Sequence, residues 1–233
     1  MGTAVASPSG RLPVVLESEI RIPPWVVDLE SFRRWARSDD FPERGRFSYL
    51  AGELWVDLSM EQLFTHNRVK TQFTIVVGGL IESEQRGYFF SDRVLFSNPV
   101  ADLSTEPDAS FISFDGIRKG SVRLIEGKHG GYIELEGTPD IVLEITSKSS
   151  VHKDTDVLRD LYWRAAIPEY WLVDARGTSL QFDILRRAAK GYVTTRRKDG
   201  WIKSAILGHE FRLTQRTDSP GNPQYTLHVK SQS

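Results

Sequence analysis

The sequence predicts an α/β fold, a mixed β-sheet flanked by helices. Three observations carry this. Residues 140–174 read as a short strand–helix–strand unit, and so compact a crossover favours parallel strands joined with a right-handed turn. Upstream, Val69, Phe73, Val76, Val77, Leu80 and Ile81 recur at three- and four-residue intervals, the period of an amphipathic helix. Short β-type runs bounded by Gly, Pro and Asp fill much of the rest.

Residues 1–12 are small and polar and are expected to be disordered. Leu12 to Ile22 allows a strand. Asp28 suits the cap of a helix from about Leu29 to Ser38, with Phe32 and Trp35 at helical spacing. Asp39 to Gly45 is a charged loop. Phe47 to Leu58 holds two apolar runs around Ala51-Gly52-Glu53, a β-hairpin with Glu53 at its turn. A helix is expected from Thr65 to Glu84, with Gly78-Gly79 inside it. Tyr88–Ser97 and Asp108–Phe114 read as strands. Residues 115–130 are loop-like, rich in Gly and basic side chains, with room for a short helix. Tyr132–Leu135 is a short strand.

Then come a strand over 140–146, a helix over about 154–166 and a strand over 170–174. Leu158, Leu161, Tyr162 and Ala165 share one face of that helix, and Pro168 ends it. Leu180–Arg186 and Gly191–Thr195 suggest an antiparallel hairpin. Residues 213–233 are polar and read as a loose tail. The expected organisation is one domain over 13–212, with an N-terminal helix and hairpin as an extension of its sheet.

Composition narrows the function. A net charge of −1 excludes a globally basic nucleic-acid binder, though local patches remain open. The chain has no cysteine, so it has neither a disulfide framework nor a thiolate metal site. No apolar run approaches a membrane span, and residues 1–11 lack the pattern of a secretory signal, so a cytoplasmic location is expected. Met1-Gly2 begins like an acylation signal, but Ala6 stands where Ser or Thr is needed.

The chemistry concentrates in Pro139-Asp-Ile-Val-Leu-Glu-Ile-Thr146. Alternation puts Asp140, Val142, Glu144 and Thr146 on one face and Ile141, Leu143 and Ile145 on the other, a core face. A carboxylate in mid-strand is costly unless a cation or hydrogen bonds compensate it, and a metal ion is the sharpest candidate. Pro107-Asp108 is a second Pro-Asp pair. If its strand neighbours that of Glu144, two carboxylates converge on one hard cation such as Mg²⁺. The plainer reading is that both aspartates bond nearby backbone N–H groups. Lys148 and Lys153 follow closely, and a lysine there can hold a metal-bound water, or simply be solvated. Ser147, Ser149, Ser150 and Asp154 suit a turn and helix cap. Glu53 at a hairpin tip and His66 before an apolar helix are further candidates for a cleft wall. Asp174 suits a turn.

Asp108, then Pro139–Ser147, Lys153-Asp154, Tyr162 and Ile167-Pro-Glu-Tyr-Trp-Leu-Val-Asp174 together resemble the Uma-two family of restriction-endonuclease-like proteins, within the PD-(D/E)XK nuclease superfamily. Ala51-Gly-Glu-Leu-Trp-Val56 and His66 resemble its N-terminal half. The likeness spans roughly residues 28–190 and is strongest over 139–176. It implies a restriction-endonuclease-like fold, binding of Mg²⁺ or Mn²⁺ by Asp108 and Glu144, and phosphodiester cleavage of DNA. The superfamily lysine would stand at position 146, where this chain has Thr146. Many relatives supply a lysine from the following helix, and the aligned residue here is Leu158. Lys153 or Lys148 must then substitute.

Substrate contact is expected from Glu53, His66 and the basic residues Arg118, Lys119 and Arg123 of the 115–130 loop. Other basic clusters lie at Arg33, Arg34 and Arg37 and between Arg186 and Lys198. Two rivals stand beside the endonuclease. One is a catalytically inert nuclease-fold binding module, open to homodimer formation, which Thr146 and Leu158 favour. The other is a carboxylate-pair glycoside hydrolase, whose activity would survive EDTA.

Overall fold

In the computed structural model, which describes residues 20–177 and 179–231, Asp28 caps the first helix, Leu29–Ala36. Its carboxylate accepts the Ser31 N–H at 2.8 Å, and the Ser31 hydroxyl accepts the Asp28 N–H at 2.9 Å. This reciprocal pair satisfies donors that a helix start otherwise leaves open. Residues 1–12 lie outside the described residues, as does most of the strand allowed over Leu12–Ile22; residues 20–22 are not in a strand.

β1 (Arg46–Leu50) and β2 (Glu53–Asp57) form the expected hairpin. Its turn is Ala51-Gly52, both with positive φ, and Glu53 opens β2 rather than sitting at the turn. The long helix runs over 63–83. Wide π turns (Leu63–Arg68, Thr74–Gly78) alternate in it with α turns (Val69–Phe73, Gly79–Ser83), and Gly78-Gly79 does not interrupt it. Val69, Phe73, Val77 and Ile81 are all buried along one stripe.

β3 (Gly87–Ser91) and β4 (Leu95–Asn98) divide the strand expected over 88–97, because Asp92 and Arg93 adopt left-handed backbone between them. β5 (Leu103–Thr105) and β6 (Ala109–Ser113) follow, then a short helix, Phe114–Arg118. β7 (Val122–Glu126) corrects the expectation of loop over 115–130. It pairs with β8 (Tyr132–Gly137), and the charged Arg123 and Glu126 hide its pattern in the sequence. β9 (Ile141–Ile145), the helix over 153–164 and β10 (Glu169–Asp174) form the expected crossover, with β9 and β10 parallel.

β11 (Gln181–Ala188) and β12 (Gly191–Thr194) make the expected hairpin. β13 (Arg197–Lys198) and β14 (Trp201–Lys203) precede β15 (His209–Thr217) and β16 (Pro223–Ser231). This last pair corrects the expectation of a loose tail after residue 212. Tyr225 and Leu227 of β16 are buried with Phe211, and burial of these alternate residues holds an otherwise polar hairpin in place.

The α/β class with mixed sheets flanked by helices holds, and the strands divide among three sheets. Their orders are β2-β1-β5-β4-β8-β7, β12-β11-β10-β9-β6-β3 and β13-β14-β15-β16. The second sheet is the centre. One of its faces packs Phe111, Leu143, Trp171 and Ile184 against the 63–83 helix and the third sheet. The other packs Ile112, Val142 and Tyr170 against the 153–164 helix and the first sheet. The first helix covers the first sheet through Phe32 and Trp35. Arg33 and Arg37 reach the buried carboxylate of Glu134, at 2.6 and 3.3 Å.

The chain steps from the first sheet to the second three times, after β2, β5 and β8. The steps from β5 to β6 and from β8 to β9 are Pro-Asp pairs. Because β6 and β9 are antiparallel, Asp108 and Asp140 begin these strands at opposite ends of the pair.

Candidate active site

β6 and β9 pair with Ala109 opposite Leu143 and Ser110 opposite Val142. One step further along this register, Asp108 stands opposite Glu144. Directly opposed residues in an antiparallel pair project to the same face. The two carboxylates of greatest interest in the sequence thus meet at one end of the central strand pair. Both are buried, 1% and 3% exposed, and both line a cleft of about 480 Å³.

Asp108 is held by cations. Its Oδ2 accepts the Ile145 N–H at 2.8 Å and lies 3.1 Å from His66 Nε2. Its Oδ1 lies 3.3 Å from Arg46 and 3.8 Å from Lys70. Burial opposes its ionisation, but the His66 hydrogen bond and the charges of His66, Arg46 and Lys70 prevail and lower its pKa to about 2. His66 also meets Glu61 through Nδ1 at 2.7 Å. With both ring nitrogens facing carboxylates, the doubly protonated form is favoured. Burial pulls the His66 pKa down, yet Asp108 and Glu61 raise it overall. Lys70 completes the cluster, 2.7 Å from Glu61 and 3.1 Å from Asp92.

Glu144 has the opposite surroundings. Its Oε1 accepts the Tyr162 hydroxyl at 2.6 Å. Burial pushes its pKa up to about 8, with Asp154 and Asp108 adding to the rise and Lys153 opposing it. Asp154, 1% exposed, is the third carboxylate of the cleft. Its Oδ2 accepts the Ser150 hydroxyl at 2.5 Å, while its buried Oδ1 has no hydrogen-bond partner and lies 3.8 Å from Lys153 Nζ. Burial raises its pKa to about 6, against Lys153 and the Ser150 bond. The turn-and-cap role expected for Asp154 gives way to this position. The expected turn and cap fall to the serines, where the Ser150 hydroxyl accepts the Ser147 N–H at 2.9 Å and the Ser147 hydroxyl accepts the Ser150 N–H at 3.1 Å, while Tyr170 donates to the Asp154 carbonyl at 2.8 Å.

The structure therefore brings together Asp108, Glu144, Lys153 and His66, with Lys148 exposed at the same cleft. It does not bring the others. Glu53 is exposed on β2, bonded to Trp55, and outside the cleft. Arg118 and Lys119 line a different cavity, which Asp140 also lines, at the far end of β6 and β9. Arg118 pairs there with Asp115, and Arg123 pairs with Glu136 on the neighbouring strand. Asp140 accepts the Ser113 N–H at 2.7 Å, and Asp174 grips Arg176. Asp154, Lys70, Glu61 and Arg46 are the residues the sequence reading missed. Only Asp154 carried a local signal, as the acid one place after Lys153.

Among the described residues, no three His, Asp or Glu side chains form a ready metal cage. The donor set nevertheless fits a hydrated hard cation, which needs only one or two carboxylates. The unpartnered Oδ1 of Asp154 and the raised pKa values of Glu144 and Asp154 mark negative charge that the protein's own cations leave unbalanced.

Mixed sheets, flanking helices and a carboxylate cleft at the sheet crossover define a restriction-endonuclease-like fold. The chain belongs to the Uma2 (Uma-two) family, described as "Putative restriction endonuclease", whose model matches residues 29–216. It is similar in structure to a protein from Anabaena variabilis described as a "putative nuclease belonging to DUF820". The TM-score is 0.58 at 16% identity, over 78% of this chain and 90% of that one. No curated protein matches the chain.

Proposed function

We propose that the protein is a metal-dependent endonuclease that hydrolyses phosphodiester bonds of DNA. The observation that carries this reading is Asp108 opposite Glu144, with Asp154 and Lys153 beside them in one cleft. Asp108 and Glu144 are the residues that would hold Mg²⁺ or Mn²⁺, with the unpartnered Oδ1 of Asp154 in the same cleft. Such an ion, when bound, lowers the pKa of water and offsets charge at a phosphate.

The chain's own groups do the rest. His66, Arg46 and Lys70 keep Asp108 ionised. Tyr162, whose pKa is raised by burial and by Glu144, stays protonated and orients the Glu144 carboxylate. Lys153 supplies the cation that neither Thr146 nor Leu158 provides. It orients the attacking water and offsets charge on the phosphate, and Lys148 offers a second, more exposed amine.

Calorimetry with Mn²⁺ followed by plasmid nicking tests the proposal. Binding and nicking should both vanish in Glu144→Ala. Nicking that persists in Glu144→Ala, or in EDTA, would remove the metal-dependent reading.

A second reading has one specific observation in its favour. Thr146 and Leu158, the two positions where the family resemblance would place a lysine, are buried and do not line the cleft. Metal binding with no nicking would favour an inert nuclease-fold binding module. Among the described residues, no helix is long and apolar enough to cross a membrane.

A further inference from the structure

We infer that the cleft takes an unpaired DNA strand rather than an intact duplex. The inference rests on the nuclease reading for its ligand and goes beyond it in naming the form of that ligand.

The mouth of the cleft is bridged. Ser149 Oγ donates to Asp57 Oδ2 at 3.1 Å and lies 3.3 Å from Ser59 Oγ. These contacts join the chain leaving β2 to the segment between β9 and the 153–164 helix. The carboxylates lie beneath, almost fully buried. The volume of the cleft, about 480 Å³, falls in the range of pockets that hold a single small ligand, roughly 300–1,000 Å³. The carboxylates at the floor are 1–3% exposed, so a phosphate held on the surface of a stiff duplex approaches them less readily than one on a single strand that can dip into the cleft.

The charge agrees. Among its lining residues the cleft has five carboxylates, four lysines or arginines and one histidine. Arg176 is already bound by Asp174, leaving Lys148 as the exposed lysine at the rim. A duplex is gripped through many phosphates at once, about 6–10 in strongly salt-dependent complexes. The cleft has no such basic stripe, and Arg118, Lys119 and Arg123 lie away from it.

The rim supplies what a strand needs instead. Leu58, Met60 and Leu63 are 62%, 96% and 70% exposed, on and just after the segment that carries Ser59, and Met60 itself lines the cleft. In a duplex the faces of the bases are hidden by stacking. In an unpaired strand they are free to meet exposed side chains, stacking on aromatic ones and, at this rim, lying against the aliphatic Leu58, Met60 and Leu63. An apolar lip above a deep floor suits the second better than the first.

The test is fluorescence anisotropy in EDTA with a labelled oligonucleotide, its blunt duplex, and a duplex carrying a central unpaired loop. The strand and the looped duplex should bind at least about tenfold more tightly than the blunt duplex. Leu58→Ser with Met60→Ser, both at exposed positions, should weaken strand binding about fivefold or more and leave duplex binding unchanged. Equal or tighter binding of the blunt duplex, failure of every substrate to bind, or a double variant with unaltered strand affinity would overturn the inference. A strand preference without Mn²⁺-dependent cleavage would instead defeat the nuclease reading and leave this one standing.

Discussion

Asp108 and Asp140 make the same hydrogen bond at opposite ends of one strand pair. Asp108 accepts the Ile145 N–H at 2.8 Å, and Asp140 accepts the Ser113 N–H at 2.7 Å. Each thereby ties the start of its own strand to the end of the other. The plain role of a strand-initiating aspartate is realised at both. What separates them is the company at one end, where His66, Arg46 and Lys70 surround Asp108 and Glu144 lies opposite.

Asp108 and Glu144 should respond oppositely to neutralisation. Asp108→Asn strands three cations around an uncharged amide and should cost about 3 kcal/mol of stability in urea unfolding. Glu144→Gln replaces a carboxyl that resists ionisation and should leave stability at pH 8 unchanged or higher. Both should abolish cleavage. A Glu144→Gln protein less stable than Asp108→Asn would contradict the electrostatics described.

Metal-free protein should lose stability as pH rises from about 5 to 8. Glu144 and Asp154 keep their protons in the folded state up to about 8 and 6, while the unfolded chain releases them near 4.5 and 3.8. The folded state therefore binds more protons across that window, and stability falls with pH. His66, with its raised pKa, acts in the same direction. Asp108 acts at the acid end, where its contribution is lost as pH falls from about 4 towards 2. Melting temperatures in EDTA should peak near pH 4–5, and Mn²⁺ should raise them most at alkaline pH. A rise between pH 5 and 8 in EDTA is the contrary result.

Lys153→Met should lower cleavage at pH 7 by roughly a hundredfold. Its charge holds down the pKa values of both Glu144 and Asp154. Its removal should shift the acid limb of the pH–rate profile to higher pH. Lys148→Met should cause a smaller loss and no shift. Equal effects of the two variants would place the cationic role elsewhere.

Truncation after Arg212 should leave an insoluble or unfolded chain. It removes β16 and most of β15, stripping cover from Phe211, Ile202 and one side of the 63–83 helix. A folded, monomeric truncation product by circular dichroism and gel filtration would mean that the hairpin is dispensable.

The sequence made Glu144 legible because an acid among Ile141, Val142, Leu143 and Ile145 contradicts its surroundings. The Pro-Asp pair did the same for Asp108. The helical stripe and the strand–helix–strand unit were legible from spacing alone. Asp154 was not, because the serines before it give an equally good local reading as a cap. Arg46, Glu61 and Lys70 come from separate elements, and only the folded chain brings them to Asp108. The 115–130 segment leaves the end of β6 that lies away from Asp108, so Arg118 and Lys119 face the other cavity although the segment connects the two strands of interest. The hairpin of β15 and β16 was hidden because its apolar residues are few and alternate with long polar ones.

The turns of the 63–83 helix bear on one further property. A buried stripe spaced strictly by four, as Val69, Phe73, Val77 and Ile81 are, would wander by about 40° per step around an ordinary α-helix. The widened turn at Thr74–Gly78, inside the stripe, offsets part of that drift. Deleting one residue from Thr74–Gly78 would swing everything downstream by about 100° and carry Ile81 away from its seat. This helix is thus tuned in length as well as in composition, and its residue count should tolerate change far less than the identity of its outward-facing side chains.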